Sequence, residues 1–264
     1  MKTSYQVSSI WGVPIYITRG WIVIFFFLVW LLASIHFPTI NPNLSALELW
    51  SSATIASVLL FASILLHELG HVYFALQNGI DVDRVTLAMM GGKARLTAEP
   101  KTARAEFVIT AAGPLINLLL AIIFYGGRIF FASDTLVDVV FVYLGRINLG
   151  LLIFNILPLF PLDGGRLIRS ILWARTDFVR GTLIAARSGQ YLAYGMIAIG
   201  IISFLLGLRL GGAGLVFMGW VLKRAAKAHI DKALEKKEGG EEDYSDHNEL
   251  AQTSSTTVYS RHER

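Results

Sequence analysis

Three ionisable residues stand within one turn of a long apolar run: His67, Glu68 and His71, in the stretch His67-Glu68-Leu69-Gly70-His71. On a helix, residues four apart share a face, so the two imidazoles would sit at the bite of a single metal ion. Glu68, beside them, is placed to take a proton from water. Ionisable groups in a lipid-buried segment are expensive and are kept for function. That argues against a purely structural trio, and an ion-pathway cluster is the rival reading. Two histidines alone leave zinc short of ligands, because a catalytic site uses three protein donors and an open position. The chain contains no cysteine, and no further His follows at short spacing. Asp163 is the best third candidate, as the only carboxylate between Asp138 and Asp177, in a loop broken by Pro161 and Gly164-Gly165. Alone, such an Asp reads as a turn or cap residue.

The elements that must bring these residues together are set by composition. Of 264 residues, 54% are hydrophobic and 16% charged, too little charge to cover a soluble domain of this length. The expected class is an α-helical polytopic membrane protein of about six transmembrane helices with a small membrane-associated β-hairpin or sheet. The expected spans are residues 21–37, 53–77, 107–125, 136–157, 189–207 and 211–226. Ile10–Ile17, with Gly12 and Pro14 inside it, reads as a kinked strand. Val82–Met90 and Lys93–Thr97 read as a hairpin turning at Gly91-Gly92. Residues 1–228 form the membrane domain, and 229–264 read as a disordered acidic tail. His36, His229, His247 and His262 read as surface histidines.

Counting Lys and Arg along the loops 1–20, 38–52, 79–104, 126–135, 161–188, 208–210 and 223–264 gives 2, 0, 5, 1, 5, 1 and 8. Under the positive-inside rule this alternation predicts a cell-membrane protein with both termini in the cytoplasm. It also bears on Asp163. The second and fourth spans then run in the same direction. His67 and His71 lie in the last third of the second, and Asp163 lies just past the inner end of the fourth. They can meet at one depth.

The basic excess belongs to the membrane part. Residues 1–222 carry 15 Lys/Arg and 10 Asp/Glu, whereas 223–264 carry 8 and 9. It reads as loop charge and not as a nucleic-acid footprint. No Gly-rich phosphate loop of the P-loop type is present. A polytopic metal-ion transporter using the same His/Glu cluster remains the alternative function.

His67–His71 (HELGH), Gly113–Asn117 (GPLIN) and Asn155–Arg166 (NILPLFPLDGGR), taken together, resemble the site-2 protease family of intramembrane zinc metalloproteases. Trp11–Ile15 and Gly91–Leu96 look like its prokaryotic branch, and the resemblance covers about residues 8–228 in order. It implies one Zn2+ per chain held by His67, His71 and Asp163, with Glu68 as catalytic acid/base. It also suggests that Asn117 and Asn155 bind the substrate backbone or oxyanion, the other reading being hydrogen bonding between helices. The implied substrate is a membrane protein, typically single-pass, of the anti-sigma-factor or tethered-regulator type. The lipid bilayer is the other partner, with no nucleic acid and with homo-oligomer formation left open. Relatives often carry paired nucleotide-sensing CBS domains after the last span. Only the short tail follows here, so adenine-nucleotide control is not expected.

Overall fold

The computed structural model describes residues 4–88, 91–131 and 135–259. The chain begins with strands β1 (Ser4–Ile10) and β2 (Val13–Thr18), joined at Trp11 and Gly12, which both take positive φ. Helix α1 (Arg19–Leu31) passes through a wider turn (Leu32–His36) into the short α2 (Phe37–Ile40). Helix α3 (Ala46–Gln77) carries the HELGH run. Strands β3 (Val82–Ala88) and β4 (Gly91–Leu96) separate it from α4 (Ala103–Phe131) and α5 (Thr135–Ile156). Helices α6 (Asp163–Trp173), α7 (Phe178–Leu205) and α8 (Arg209–Tyr259) follow.

Among the described residues, five helical stretches are long and apolar enough to cross a membrane: Arg19–Ile40, Ala46–Gln77, Ala103–Phe130, Leu136–Ile156 and Phe178–Leu205. Large apolar side chains such as Phe26, Ile123 and Ile153 are exposed on their outer faces, as lipid contact requires.

The chain divides into two compact units. The first comprises residues up to Leu157 together with Leu162–Leu167. Its α3 starts at a capping box: the Ser45 hydroxyl accepts the Glu48 N–H, and Glu48 Oε2 accepts the Ser45 N–H at 2.7 Å. Gly79, with φ +71°, closes its far end in the left-handed conformation. One apolar core packs Val29, Leu32 and Phe37 against Ala53, Ala56 and Leu60 of α3 and Val140 and Leu144 of α5. A second packs Val13, Ile15, Val82 and Val85 of the sheet against Val72 and Ala75 of α3 and Ile109 of α4. The sheet is therefore anchored on the turns of α3 just beyond the histidines. Its order is β1-β2-β3-β4, antiparallel at both ends with β2 and β3 parallel, which puts β4 at an edge.

The second unit comprises Pro158–Pro161 and the chain from Ile168 onward. There α7 and α8 approach closely through glycines. A Cβ on Gly200 would meet Gly212 O and Val216 N, both at 2.8 Å, and one on Gly219 would meet Ala193 O at 2.9 Å. Without water to drive association, such backbone proximity supplies the packing energy.

Several expectations need correction. The strand predicted with a kink is two strands of a hairpin, because Trp11 and Gly12 reverse the chain. The second hairpin does not turn at Gly91-Gly92. These glycines belong to β4, and residues 89–90 between the strands lie outside the described residues. The two hairpins join into one mixed sheet. Helix α7 starts at Phe178, capped by Asp177, about three turns before the expected span start at residue 189. Helix α8 runs to Tyr259. His36 is half-buried edge-on against Tyr143, and His229 stacks on Phe160 with centroids 4.2 Å apart, so neither is a free surface histidine. His247 has no described side chain, and His262 lies outside the described residues.

Candidate metal centre

His67 and His71 lie on the buried side of α3, at 7% and 6% exposure, and their Nε2 atoms are 3.2 Å apart. Asp163, the first residue of α6, points between them, with Oδ2 at 3.2 Å from His67 Nε2 and 3.3 Å from His71 Nε2. Tetrahedral zinc ligands at about 2.0–2.1 Å from one ion stand about 3.3–3.4 Å from one another. The three donors already have that spacing. Asp163 Oδ2 is buried, with no hydrogen-bond partner besides the two imidazoles among the described residues, which suits an oxygen offered to a metal. Burial disfavours a charged Asp163, but its contacts with His67 and His71 outweigh this and hold the carboxyl well below the usual carboxylate range. Among the described residues the cluster has three protein donors, which leaves the fourth tetrahedral position open.

Neighbouring elements prepare the donors. His71 Nδ1 lies 2.8 Å from the carbonyl oxygen of Ile109 on α4. A carbonyl only accepts, so Nδ1 carries the proton and Nε2 keeps its lone pair for a metal. Gly113, one turn further along the same face of α4, makes room for the rings: a Cβ there would run into His71 Nε2 and Cε1 and into His67 Cε1. Gly70 lets α3 approach α4, since a Cβ would lie 3.1 Å from Ala112 O. On α6, a Cβ at Gly164 would collide with the carbonyls of Ile156 and Leu157, so only glycine permits the tight entry that carries Asp163 inward.

Glu68 is buried beside His67 but is not one of the three donors. Its Oε2 accepts the Ala94 N–H of β4 at 2.8 Å. Gly92 gives it space, because a Cβ would fall 2.5 Å from Glu68 Cγ and 2.9 Å from Oε1. Gly92, which looked like part of a turn, is thus needed by a carboxylate.

The profile of peptidase family M50 matches residues 55–138 and 131–203. The chain belongs to this family. Among M50 relatives, Rip3 of Mycobacterium tuberculosis is 37% identical over 231 residues, covering 86% of this chain and 58% of its own length. Zinc metalloprotease MJ0392 of Methanocaldococcus jannaschii is 33% identical over 205 residues, covering 77% of this chain and 56% of its own. The solved structure of a site-2 protease from Methanocaldococcus jannaschii superposes with a TM-score of 0.52 at 28% identity, covering 86% of this chain and 95% of that one. The chain spans a little under three-fifths of the length of the curated relatives quoted. An M50 chain with several apolar spans is a membrane protein.

Of the residues expected at the site, His67, His71 and Asp163 come together. Asn117 lies on the face of α4 that carries Gly113, 1% exposed, its Oδ1 without a hydrogen-bond partner. Asn155 is half-buried in the last turn of α5. Sequence reasoning passed over Ile109 and assigned no role in the site to Gly113, Gly92 or Ala94, although these three fall within the motifs quoted from it. Ile109 and Ala94 act through backbone atoms, which leave no trace in residue type. The glycines signal only that a neighbour comes close.

Proposed function

We propose that this chain is an intramembrane zinc metalloprotease that hydrolyses peptide bonds within or near the transmembrane segments of membrane-tethered proteins. The observation that carries the reading is the convergence of His67, His71 and Asp163 at tetrahedral ligand spacing, in a chain of family M50. His67, His71 and Asp163 would hold one zinc, which when bound polarises a scissile carbonyl and lowers the pKa of water towards about 7. Glu68 takes the proton from the attacking water and returns it to the leaving amine. Its Oε2 is held by the Ala94 N–H, which leaves Oε1 as the atom that moves the proton. His71 keeps its lone pair on Nε2 because Ile109 holds the proton on Nδ1. Asn117 and Asn155 are proposed to bind the substrate backbone.

A peptide bond in a transmembrane helix is shielded by its own hydrogen bonds, so the substrate must unwind before cleavage. Strand β4 lies at the sheet edge next to Glu68, which suits an extended segment added as a further strand. The loop charges support cytoplasmic termini. On that orientation water reaches the site from the cytoplasmic side, and the substrate class is single-pass proteins of the tethered-regulator type. The experiment is co-expression with candidate tethered substrates, comparing the natural chain with Glu68→Gln. Cleavage by the natural chain that disappears in the variant supports the reading. Cleavage undiminished without Glu68, or zinc flux into vesicles in its place, would overturn it.

A further inference from the structure

An ion pair with a buried carboxylate joins α4, which orients His71, to α6, which carries Asp163, and is given no role by the mechanism above. Glu106, in the first turn of α4, is fully buried at 0% exposure. The guanidinium Nε of Arg166, in the first turn of α6, lies 3.6 Å from its Oε1. A buried carboxylate among apolar helices persists only where a partner offsets its lost hydration. Both ends of this pair stand one helical turn from a component of the metal centre. Glu106 precedes Ile109, whose carbonyl sets the His71 tautomer, by three residues, and Gly113 follows on the same face. Arg166 follows Asp163 by three residues on α6, so the two side chains leave adjacent faces of that first turn.

We propose that Glu106 and Arg166 are a positioning pair that sets the third metal ligand: their ion pair fixes the rotation of the first turn of α6 against α4, and so aims Asp163 at the two histidines. Asp163 enters from the start of a helix whose preceding residues are Pro161 and Leu162, and Gly164 and Gly165 follow it. Such a turn has little side-chain bulk of its own to set its rotation, whereas the anchored arginine one turn on supplies a fixed point. The pair binds α6 to the very helix that orients His71, so ligands from distant parts of the chain are held to one reference. The inference rests on the zinc reading given above.

The test uses the full-length chain purified in detergent, as the natural sequence, Glu106→Gln, Arg166→Gln, Arg166→Lys and the double variant Glu106→Gln/Arg166→Gln. Zinc affinity is measured by competition with a chelator, and the cobalt(II)-loaded proteins are compared by visible absorption, which reports ligand geometry independently of activity. Each Gln variant is expected to bind zinc about 10–100-fold more weakly, the range for outer-shell partners of metal ligands, and to shift the cobalt bands. The double variant should be no worse than the poorer single one, because both changes break one link. Arg166→Lys keeps the charge without the planar guanidinium and should fall between. Helicity and monodisperse elution monitor the fold; should Glu106→Gln not fold, the two Arg166 variants decide alone. Natural affinity and an unchanged cobalt spectrum in the folded variants overturn the pair while leaving the metal centre standing. A natural chain that takes up no zinc at all overturns the metal reading, and this inference falls with it.

Discussion

Glu68 of α3 accepts the backbone N–H of Ala94 in β4 at 2.8 Å, tying the carboxylate beside the metal donors to the edge strand of the sheet. The proposed base and the strand proposed to receive substrate are therefore one hydrogen-bonded assembly. Ala94→Pro would abolish this N–H, so it damages the base whatever the strand does, and other positions must test substrate pairing.

Glu68→Gln should retain about one zinc per chain and lose cleavage by about 10²–10⁴-fold, the usual contribution of a general acid/base. Metal content by atomic emission and cleavage of a co-expressed substrate measure the two quantities on one preparation. Loss of zinc in this variant would make Glu68 a ligand and contradict its assignment.

Asp163→Asn should weaken zinc and cleavage together. An amide oxygen is a poorer donor than the carboxylate that stands 3.2 and 3.3 Å from the two imidazoles. The fall in zinc affinity should exceed the 10–100-fold typical of outer-shell changes. Chelator competition gives the number, and an unaltered affinity would remove Asp163 from the metal centre.

Gly113→Ala should empty the centre without touching a ligand, since the added Cβ runs into both imidazoles. Gly126→Ala, on the same helix, meets nothing within 4 Å and serves as the control. The comparison is zinc content at equal helicity. Equal zinc in both would mean that the rings have slack that the close packing does not indicate.

Gly92→Ala should leave zinc in place and lower the turnover rate, because its Cβ would displace the Glu68 side chain and not the donors. Steady-state cleavage with a metal assay separates this effect from that of Gly113→Ala. A variant that loses metal would argue that Glu68 and the donors move as one.

The chain contains no cysteine, so a single introduced one reports without background. Lys93 and Arg95 flank Ala94 on exposed positions of β4. Lys93→Cys and Arg95→Cys should form disulfides with single cysteines placed near the cleavage site of a substrate, at positions two residues apart, as strand alternation requires. Crosslinks at every position alike, or at none, would speak against strand pairing.

The sequence by itself determined what one helix can determine. The i, i+4 spacing puts His67 and His71 on one face, and the apolar runs set the spans because lipid length and backbone satisfaction leave few other solutions. The charges in the loops and the lack of other carboxylates between Asp138 and Asp177 made Asp163 the candidate third ligand before any coordinates. Only the tertiary structure decided which atoms prepare those ligands. Ile109 lies 38 residues from His71, and Ala94 lies 26 from Glu68. Each acts through a main-chain atom that every residue type possesses. Gly92 and Gly113 were visible as glycines, yet their meaning depends on which side chain arrives beside them. Periodicity describes one element at a time, whereas a metal centre is a property of the distances between elements, and those are set by how the helices and the sheet pack.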